Sequence, residues 1–286
     1  MVASGSIGTG TGILGIIGHP VGHSLSPRMH NAALRAQGID MVYLAFDVAP
    51  QSLAQAVGGV RALGFRGLNI TIPHKEAVLG LLDEVEETAR RIGAVNTVVN
   101  ESGRLVGHNT DMIGFSAALH GLRPEGAAGL TCFVAGAGGA ARAVVAALML
   151  EGAREVRVCN RTVERAEALC AQASSWGGTY CVVVPPGEAA RAAGECDLLV
   201  NATSVGLASS VKDSVVPVDI LHSHQMVMDL VYGPEPSALV REARARGASA
   251  TDGGEMLVMQ AAGSYELWTG LSAPVEVMRG SISEER

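Results

Sequence analysis

The sequence predicts an α/β protein whose second half is built on a doubly wound parallel sheet. From residue 130 to 249, short apolar runs of strand length alternate with helical stretches, the pattern of a parallel sheet covered on both faces. The chain is 48% apolar and 17% charged, with 36 glycines and only 3% aromatics, which suits helices packed closely on such a sheet. A glycine-rich turn, Gly136-Ala137-Gly138-Gly139, also falls between an apolar run and a small-residue helical stretch. At 286 residues the chain has the length for one large or two modest domains.

Residues 130–135 read as a buried strand, 140–151 as a helix closed by Gly152, and 155–160 as a second strand. This is a βαβ unit whose first turn lets backbone approach a phosphate, with free N–H groups at the helix start. The second strand exits into Asn160-Arg161-Thr162, with Arg165 one turn on, and no carboxylate sits at its end. An acidic side chain there would select NAD, whereas an Arg accommodates a 2′-phosphate, so NADP(H) is the expected cofactor. Glu164 could still reach a ribose in an NAD reading, and Arg161 and Arg165 could simply solvate a helix start.

The net charge of −7 and the absence of a basic stripe argue against a nucleic-acid partner. Cys132, Cys159, Cys170, Cys181 and Cys196 are odd in number, lack CxxC spacing and mostly sit among apolar residues. They read as reduced, buried small hydrophobes of a cytoplasmic protein. The apolar segment 133–150 approaches membrane-spanning length, but Arg142 and three glycines interrupt it, so no membrane partner is expected. Residues 1–12 lack a basic start and an apolar core and read as a flexible tail. His19 and His23 are separated by Pro20 and Gly22, which excludes a helical metal pair, and no metal is expected.

Residues 13–18 form a strand leading through a Pro/Gly loop to Ser24-Leu25-Ser26-Pro27. Ser26 is placed as N-cap, Pro27 at the first helical position, Gly38 as the stop, and Met29, Ala32, Ala33 and Ala36 as the apolar stripe. Ser24 and Ser26 thus stand at a strand-to-helix turn, where α/β proteins meet ligands, although Ser26 could only cap. Strands are expected at 41–48 and 65–71, with Leu53, Val57 and Val60 marking the helix between them. Lys75 follows the latter strand and is read as opening the next helix, an unfavourable place for a cation. Either it is a proton-transfer group with a counter-charge or an ordinary surface lysine.

Residues 94–99 and 104–107 read as a hairpin. Beyond it, Thr110 or Asp111 caps a helix starting near Met112, with Asp111 alternatively the carboxylate partner of Lys75. Further strands are expected at 179–184, 197–201 and 226–230, the second ending in Asn201-Ala202-Thr203. In the helix at 255–270, Gln260 shares a face with Met256, Gly263 and Leu267, which implies a ligand or a buried hydrogen bond.

Together these stretches resemble the shikimate dehydrogenase family from about residue 13 to the C-terminus. The matching segments are Ser24-Leu25-Ser26-Pro27, Asn69-Ile70-Thr71-Ile72-Pro73-His74-Lys75, Gly93-Ala94-Val95-Asn96-Thr97 and Asn109-Thr110-Asp111. Gly136-Ala137-Gly138-Gly139-Ala140, Asn160-Arg161-Thr162, Asn201-Ala202-Thr203-Ser204 and Met256-Leu257-Val258-Met259-Gln260 continue the series in order. The resemblance implies an N-terminal substrate domain at 13–111, completed by C-terminal helices at 250–286, and an inserted Rossmann-like NADP-binding domain at 112–249.

It also implies reduction of 3-dehydroshikimate to shikimate with NADPH, on the route to aromatic amino acids. By the match, Lys75 and Asp111 are the catalytic pair and Ser24 and Ser26 hold the substrate carboxylate, while Asn69, Thr71, Asn96, Tyr232 and Gln260 bind its hydroxyls or ring. The cofactor residues would be Gly136, Ala137, Gly138, Gly139, Ala140, Asn160, Arg161, Thr162, Arg165, Asn201, Thr203, Leu230 and Gly253. A homodimer is one assembly to expect. The segment Pro236-Ser237-Ala238-Leu239 and Glu255 depart from the family's usual residues. The competing readings are an NAD-dependent quinate/shikimate dehydrogenase and a non-catalytic sensor of shikimate-pathway metabolites.

Overall fold

The computed structural model describes residues 7–176, 180–206, 214–233 and 235–283. They fall into two compact units, one of residues 7–110 with 258–283 and one of residues 111–257.

The first unit is a mixed six-stranded sheet. Its strands are β1 (Gly12–Gly18), β2 (Met41–Asp47), β3 (Gly67–Ile70), β4 (Glu84–Val85), β5 (Thr97–Glu101) and β6 (Arg104–His108), in the order β2-β1-β3-β5-β6-β4. β1 runs parallel to both β2 and β3, and β5 is antiparallel to β3 and β6. The expected hairpin is β5–β6. Ser102 and Gly103 turn it with φ of 55° and 96°, the left-handed pair whose twist suits a two-residue loop. All four β3 residues are buried, and Leu68 and Ile70 pack with Ile17, Val57, Val60 and Val98.

The helices are α1 (Ser26–Ala36), α2 (Leu53–Ala62) and α3 (Glu87–Ile92), with α9 (Gly254–Thr269) and α10 (Val275–Ser283) late in the chain. α2 buries Leu53, Val57 and Val60, as their spacing requires. α1 departs from expectation at two points. Its N-cap position is Leu25, without a side-chain cap, so Ser26 is the first helical residue and not the cap. Its buried stripe is Ser26, Met29, His30, Ala33 and Leu34, whereas Ala36 is exposed. His30 goes inward because its ring stacks on Tyr43, with centroids 4.3 Å apart. On α9 the expected Gln260 face also changes at its end, where Leu267 is 40% exposed and Trp268 turns inward instead. The Trp268 indole donates to the Val98 carbonyl at 2.9 Å, and a Cβ at Gly67 would lie 2.1 Å from that nitrogen. Glycine at 67 is therefore what admits the indole.

The second unit opens with α4 (Asp111–Leu122). It continues with β7 (Thr131–Ala135), α5 (Gly139–Leu150), β8 (Glu155–Cys159), α6 (Val163–Ser174), β9 (Tyr180–Val183) and α7 (Ala189–Gly194). β10 (Leu198–Asn201), β11 (Met226–Asp229), α8 (Ala238–Ala245) and β12 (Ser249–Thr251) complete it. Its sheet order is β12-β11-β10-β7-β8-β9, and every pair is parallel. The order has the doubly wound form, in which the direction of travel across the sheet reverses beside β7. β7 is buried throughout and α5 buries eight of its residues, including Val144, Val145 and Leu148, against it. β12 pairs with β11, so the edge expected at 249/250 falls inside this sheet. Thr179, the expected start of β9, lies outside the described residues. Among the described residues, no helix is long and apolar enough to cross a membrane.

Candidate active site

In the first unit the loops beyond β1, β2 and β3 are tied to one another. Thr71 N donates to Ile17 O at 2.9 Å, His19 N to Ile72 O at 2.9 Å and Val48 N to Gly18 O at 2.9 Å. His74 Nε2 donates to the Val48 carbonyl at 2.7 Å and is buried. A Cβ on Gly18 would lie 2.3 Å from Thr71 Cγ2, so only glycine lets the threonine side chain close in. Lys75 is half-buried just past this strand end, and its carbonyl accepts from Val95 N at 2.8 Å. It does not open an α-helix: a short 3-10 turn, Ala77–Leu81, starts two residues later with Glu76 at its cap position. Lys75 therefore sits in the strand-end loop and not at the start of an α-helix. Ser24 Oγ accepts from Ser26 N at 3.3 Å, so Ser24 stabilises the entry to α1 that Ser26 was expected to cap.

A buried polar cluster gathers Asn69, Asn96, Thr97, Thr110, Ser264 and Gln260. Asn96 Oδ1 accepts from Thr110 N at 2.7 Å and from Thr97 Oγ1 at 3.0 Å. Asn96 Nδ2 donates to Thr110 Oγ1 at 2.9 Å and to Gln260 Oε1 at 3.4 Å. Gln260 thus has a partly buried hydrogen bond on the face where its amide needed a partner. Asp111 is the first residue of α4, inside the helix rather than flanking it, and is buried.

In the second unit, β7 ends at Ala135 opposite Asn201 of β10. Gly136 follows with φ of 116°, and its N–H donates to Cys159 O at 2.8 Å. A Cβ there would lie 2.9 Å from the Ala202 carbonyl, so position 136 excludes a side chain on both counts. Ala137 is buried, and Gly138 occupies the cap position of α5 with open space beside it. No side chain caps α5, and no acidic residue occupies its first turn, so Gly139 and Ala140 stand at a helix start of the type that can receive an anion.

At the exit of β8, Asn160 Nδ2 donates to Thr162 O at 2.8 Å, closing the loop that carries Arg161. Arg161 and Arg165 are exposed, with Thr162 at the cap position of α6. Asn201 is turned inward: Nδ2 donates to Asp229 Oδ1 at 2.8 Å and Val205 O at 3.0 Å, while Oδ1 accepts from Thr203 N and Oγ1. These bonds shape the turn that abuts Gly136. Leu230 and Gly253 meet closely, since Gly253 N donates to Val231 O and a Cβ on Gly253 would lie 2.2 Å from Leu230 O. Tyr232 follows β11, and desolvation pushes its phenol above the ordinary tyrosine range.

Sequence reasoning passed over Tyr43, Thr97, Ser264 and Asp229. Tyr43 Oη donates to Asn69 Oδ1 at 2.6 Å. Ser264 carried a signal, standing four residues after Gln260 on the same helix face. Asp229 ends β11 as Asn201 ends β10. Burial raises its carboxyl above the usual range, against the hydrogen bonds it accepts from Ser237, Val231 and Asn201. Among the described residues, no group of three or more His, Cys, Asp or Glu could hold a metal.

A doubly wound sheet with an uncapped glycine turn, in one chain with an α/β unit bearing a lysine and a buried amide cluster, defines a nucleotide-dependent α/β oxidoreductase. Family models match the shikimate dehydrogenase substrate binding domain over residues 16–98, shikimate / quinate 5-dehydrogenase over 123–232 and the shikimate 5'-dehydrogenase C-terminal domain over 253–282. A Methanopyrus kandleri protein named shikimate dehydrogenase (NADP(+)) is 46% identical over 99% of each chain. The structure of shikimate 5-dehydrogenase from Thermus thermophilus, in complex with NADP(H) and shikimate, matches with a TM-score of 0.85 and 40% identity over 96% of this chain and all (100%) of that one. Quinate dehydrogenase from Corynebacterium glutamicum, in complex with NAD, matches with a TM-score of 0.87 and 36% identity over 96% and 99%. This chain belongs to the shikimate dehydrogenase family.

Proposed function

We propose that the chain catalyses the reversible NADPH-dependent reduction of 3-dehydroshikimate to shikimate, in the first unit's polar site and with the cofactor held by the second. The observation that carries the reading is the 46% identity to a shikimate dehydrogenase (NADP(+)) along 99% of both chains. The residues fit the cofactor: Gly136 leaves the backbone bare, α5 starts uncapped, and Arg161 and Arg165 stand at the β8 exit where no carboxylate ends the strand. When bound, NADPH supplies the hydride.

The protein's own task is to orient the ketone and manage a proton. Ser24 and Ser26 are assigned the substrate carboxylate, and Thr71, Asn96, Tyr232 and Gln260 its hydroxyls and ring. Negative charge grows on the carbonyl oxygen during reduction, and the Lys75 ammonium stabilises and protonates it. Asp111 shares this proton chemistry and accepts from the adjacent hydroxyl. Lys75→Ala is expected to lower kcat for NADP⁺-linked shikimate oxidation by about 10²–10⁴-fold, with a much smaller rise in KM. A kcat near wild type would remove Lys75 from the chemistry.

The family model shared with quinate enzymes, and the NAD-bound quinate dehydrogenase of similar structure, favour one rival: NAD-linked quinate oxidation. Steady-state rates with shikimate and quinate, each with NADP⁺ and NAD⁺, decide between them. Shikimate with NADP⁺ is expected to give the highest kcat/KM, and a quinate/NAD⁺ maximum overturns the choice. A cytoplasmic setting accords with five free cysteines. The expected homodimer is tested by sedimentation equilibrium, where a monomer mass rejects it.

A further inference from the structure

The resemblance gives Asn69 a direct contact with substrate, but its surroundings give it another task. Asn69 is only 4% exposed, and its amide is engaged inside the protein. Nδ2 lies 3.0 Å from Asn96 O, 3.1 Å from Thr97 Oγ1 and 3.0 Å from Ser264 Oγ. A carbonyl can only accept, so Asn96 O fixes which end of the amide is the NH₂ group. The Tyr43 hydroxyl must then be the donor to Asn69 Oδ1, at 2.6 Å. Tyr43 is fully buried, and the His30 ring lies flat against it with an interplanar angle of 12°. On the other side Ser264 Oγ donates to Gln260 O at 3.1 Å and lies 2.7 Å from Thr97 Oγ1 and 3.1 Å from Thr110 Oγ1. Thr97 and Thr110 in turn hold Asn96 Oδ1.

Resting on the function proposed above, we propose that Tyr43 and Ser264 are positioning residues for substrate recognition: they lock the Asn69 amide and through it orient Asn96 and Gln260. Asn69 is then a strut, and the network it locks ends at Gln260, whose amide is the less buried one. The hydroxyl at 264 matters because it joins the α9 turn carrying Gln260 to the β3 and β5 side chains. Without it, Asn69 Nδ2 loses one of its three acceptors and the Gln260 turn loses its tie to β3. Without the Tyr43 hydroxyl, Asn69 Oδ1 loses the donor that the structure gives it and is left as a buried acceptor, which loosens the hold on the amide.

Tyr43→Phe keeps the ring and its stack and deletes only the donor. Its KM for shikimate is expected to rise about five- to tenfold, the ratio associated with one buried hydrogen bond, while kcat and KM for NADP⁺ stay within about twofold. Ser264→Ala is expected to act in the same direction. The double variant should raise KM by less than the product of the two single effects, because both act on one amide.

Unchanged KM for shikimate in both variants, a loss confined to kcat, or multiplicative effects in the double variant would overturn the assignment. Should Tyr43→Phe not fold, the KM-against-kcat split of Ser264→Ala decides alone. A wild-type enzyme inactive on shikimate fails the proposed function instead. In that event calorimetric shikimate binding to wild type and Ser264→Ala still reads the strut: weaker binding by the variant supports it, and equal or absent binding overturns it.

Discussion

His30 has a measurable consequence for acid stability. It is fully buried against Tyr43 and Trp268, and neither ring nitrogen has a hydrogen-bond partner among the described residues. Desolvation lowers its pKa from 6.5 to about 3, so the imidazole stays neutral in the folded protein. The unfolded chain takes up a proton near pH 6.5 that the folded chain refuses. Stability from this group is therefore complete above that pH and is lost as pH falls towards the folded value, by about 1.4 kcal/mol per unit for one proton. In urea unfolding at pH 7.5, 6 and 5, wild type should lose stability relative to His30→Phe as pH falls, approaching that slope below pH 6.5. Parallel curves across this range would show that position 30 binds no proton on unfolding.

At this scale residue type and neighbour marked Lys75 and Gln260, whereas Asn69 and Asn96 came only with the family resemblance. It could not tell ligand from strut, because that depends on which acceptors β3, β5 and α9 bring to one amide. Ser26 shows the same limit. Serine favours a cap, yet here Ser24 accepts the backbone N–H while Ser26 turns into the protein.

Among the elements, the β7–turn–α5 unit was the most legible, because an apolar run, glycines and a small-residue helix all indicate the same structure. α3 was the least so. Its cap is Glu86, which accepts from Thr88 N and Ala89 N, and glutamate is not among the residue types that announce a helix start. The 3-10 turn after Lys75 was also misread, since an apolar stretch of five residues carries too little periodicity to separate it from an α-helix. Gly136 makes the first of these elements testable. Gly136→Ala forces a side chain into φ of 116° and against the Ala202 carbonyl. It is expected to lower stability by about 1–3 kcal/mol in chemical denaturation and to raise KM for NADP⁺ more than KM for shikimate. Equal changes in the two KM values would mean that the turn supports the fold without shaping the cofactor site.

For the molecule as a whole, the alternation of strands and helices after residue 130 was enough to anticipate a doubly wound parallel sheet. The mixed order of the first sheet was not legible, because an antiparallel hairpin joined to parallel strands leaves no single period in the sequence. The overall charge of −7 bears on the cofactor. A chain this acidic does not favour a nucleotide phosphate in general, so any preference for NADP⁺ over NAD⁺ has to arise locally, and the exposed Arg161 and Arg165 beside β8 are the cations proposed for it. Arg161→Ala should raise KM for NADP⁺ by about tenfold, the loss of one charge-assisted contact, and leave KM for NAD⁺ within about twofold. The NADP⁺ effect should shrink as salt rises, because an exposed guanidinium is screened over a Debye length of about 8 Å at physiological ionic strength. If both cofactors weaken equally, Arg161 braces the loop through its backbone, and selection of the 2′-phosphate belongs to Arg165.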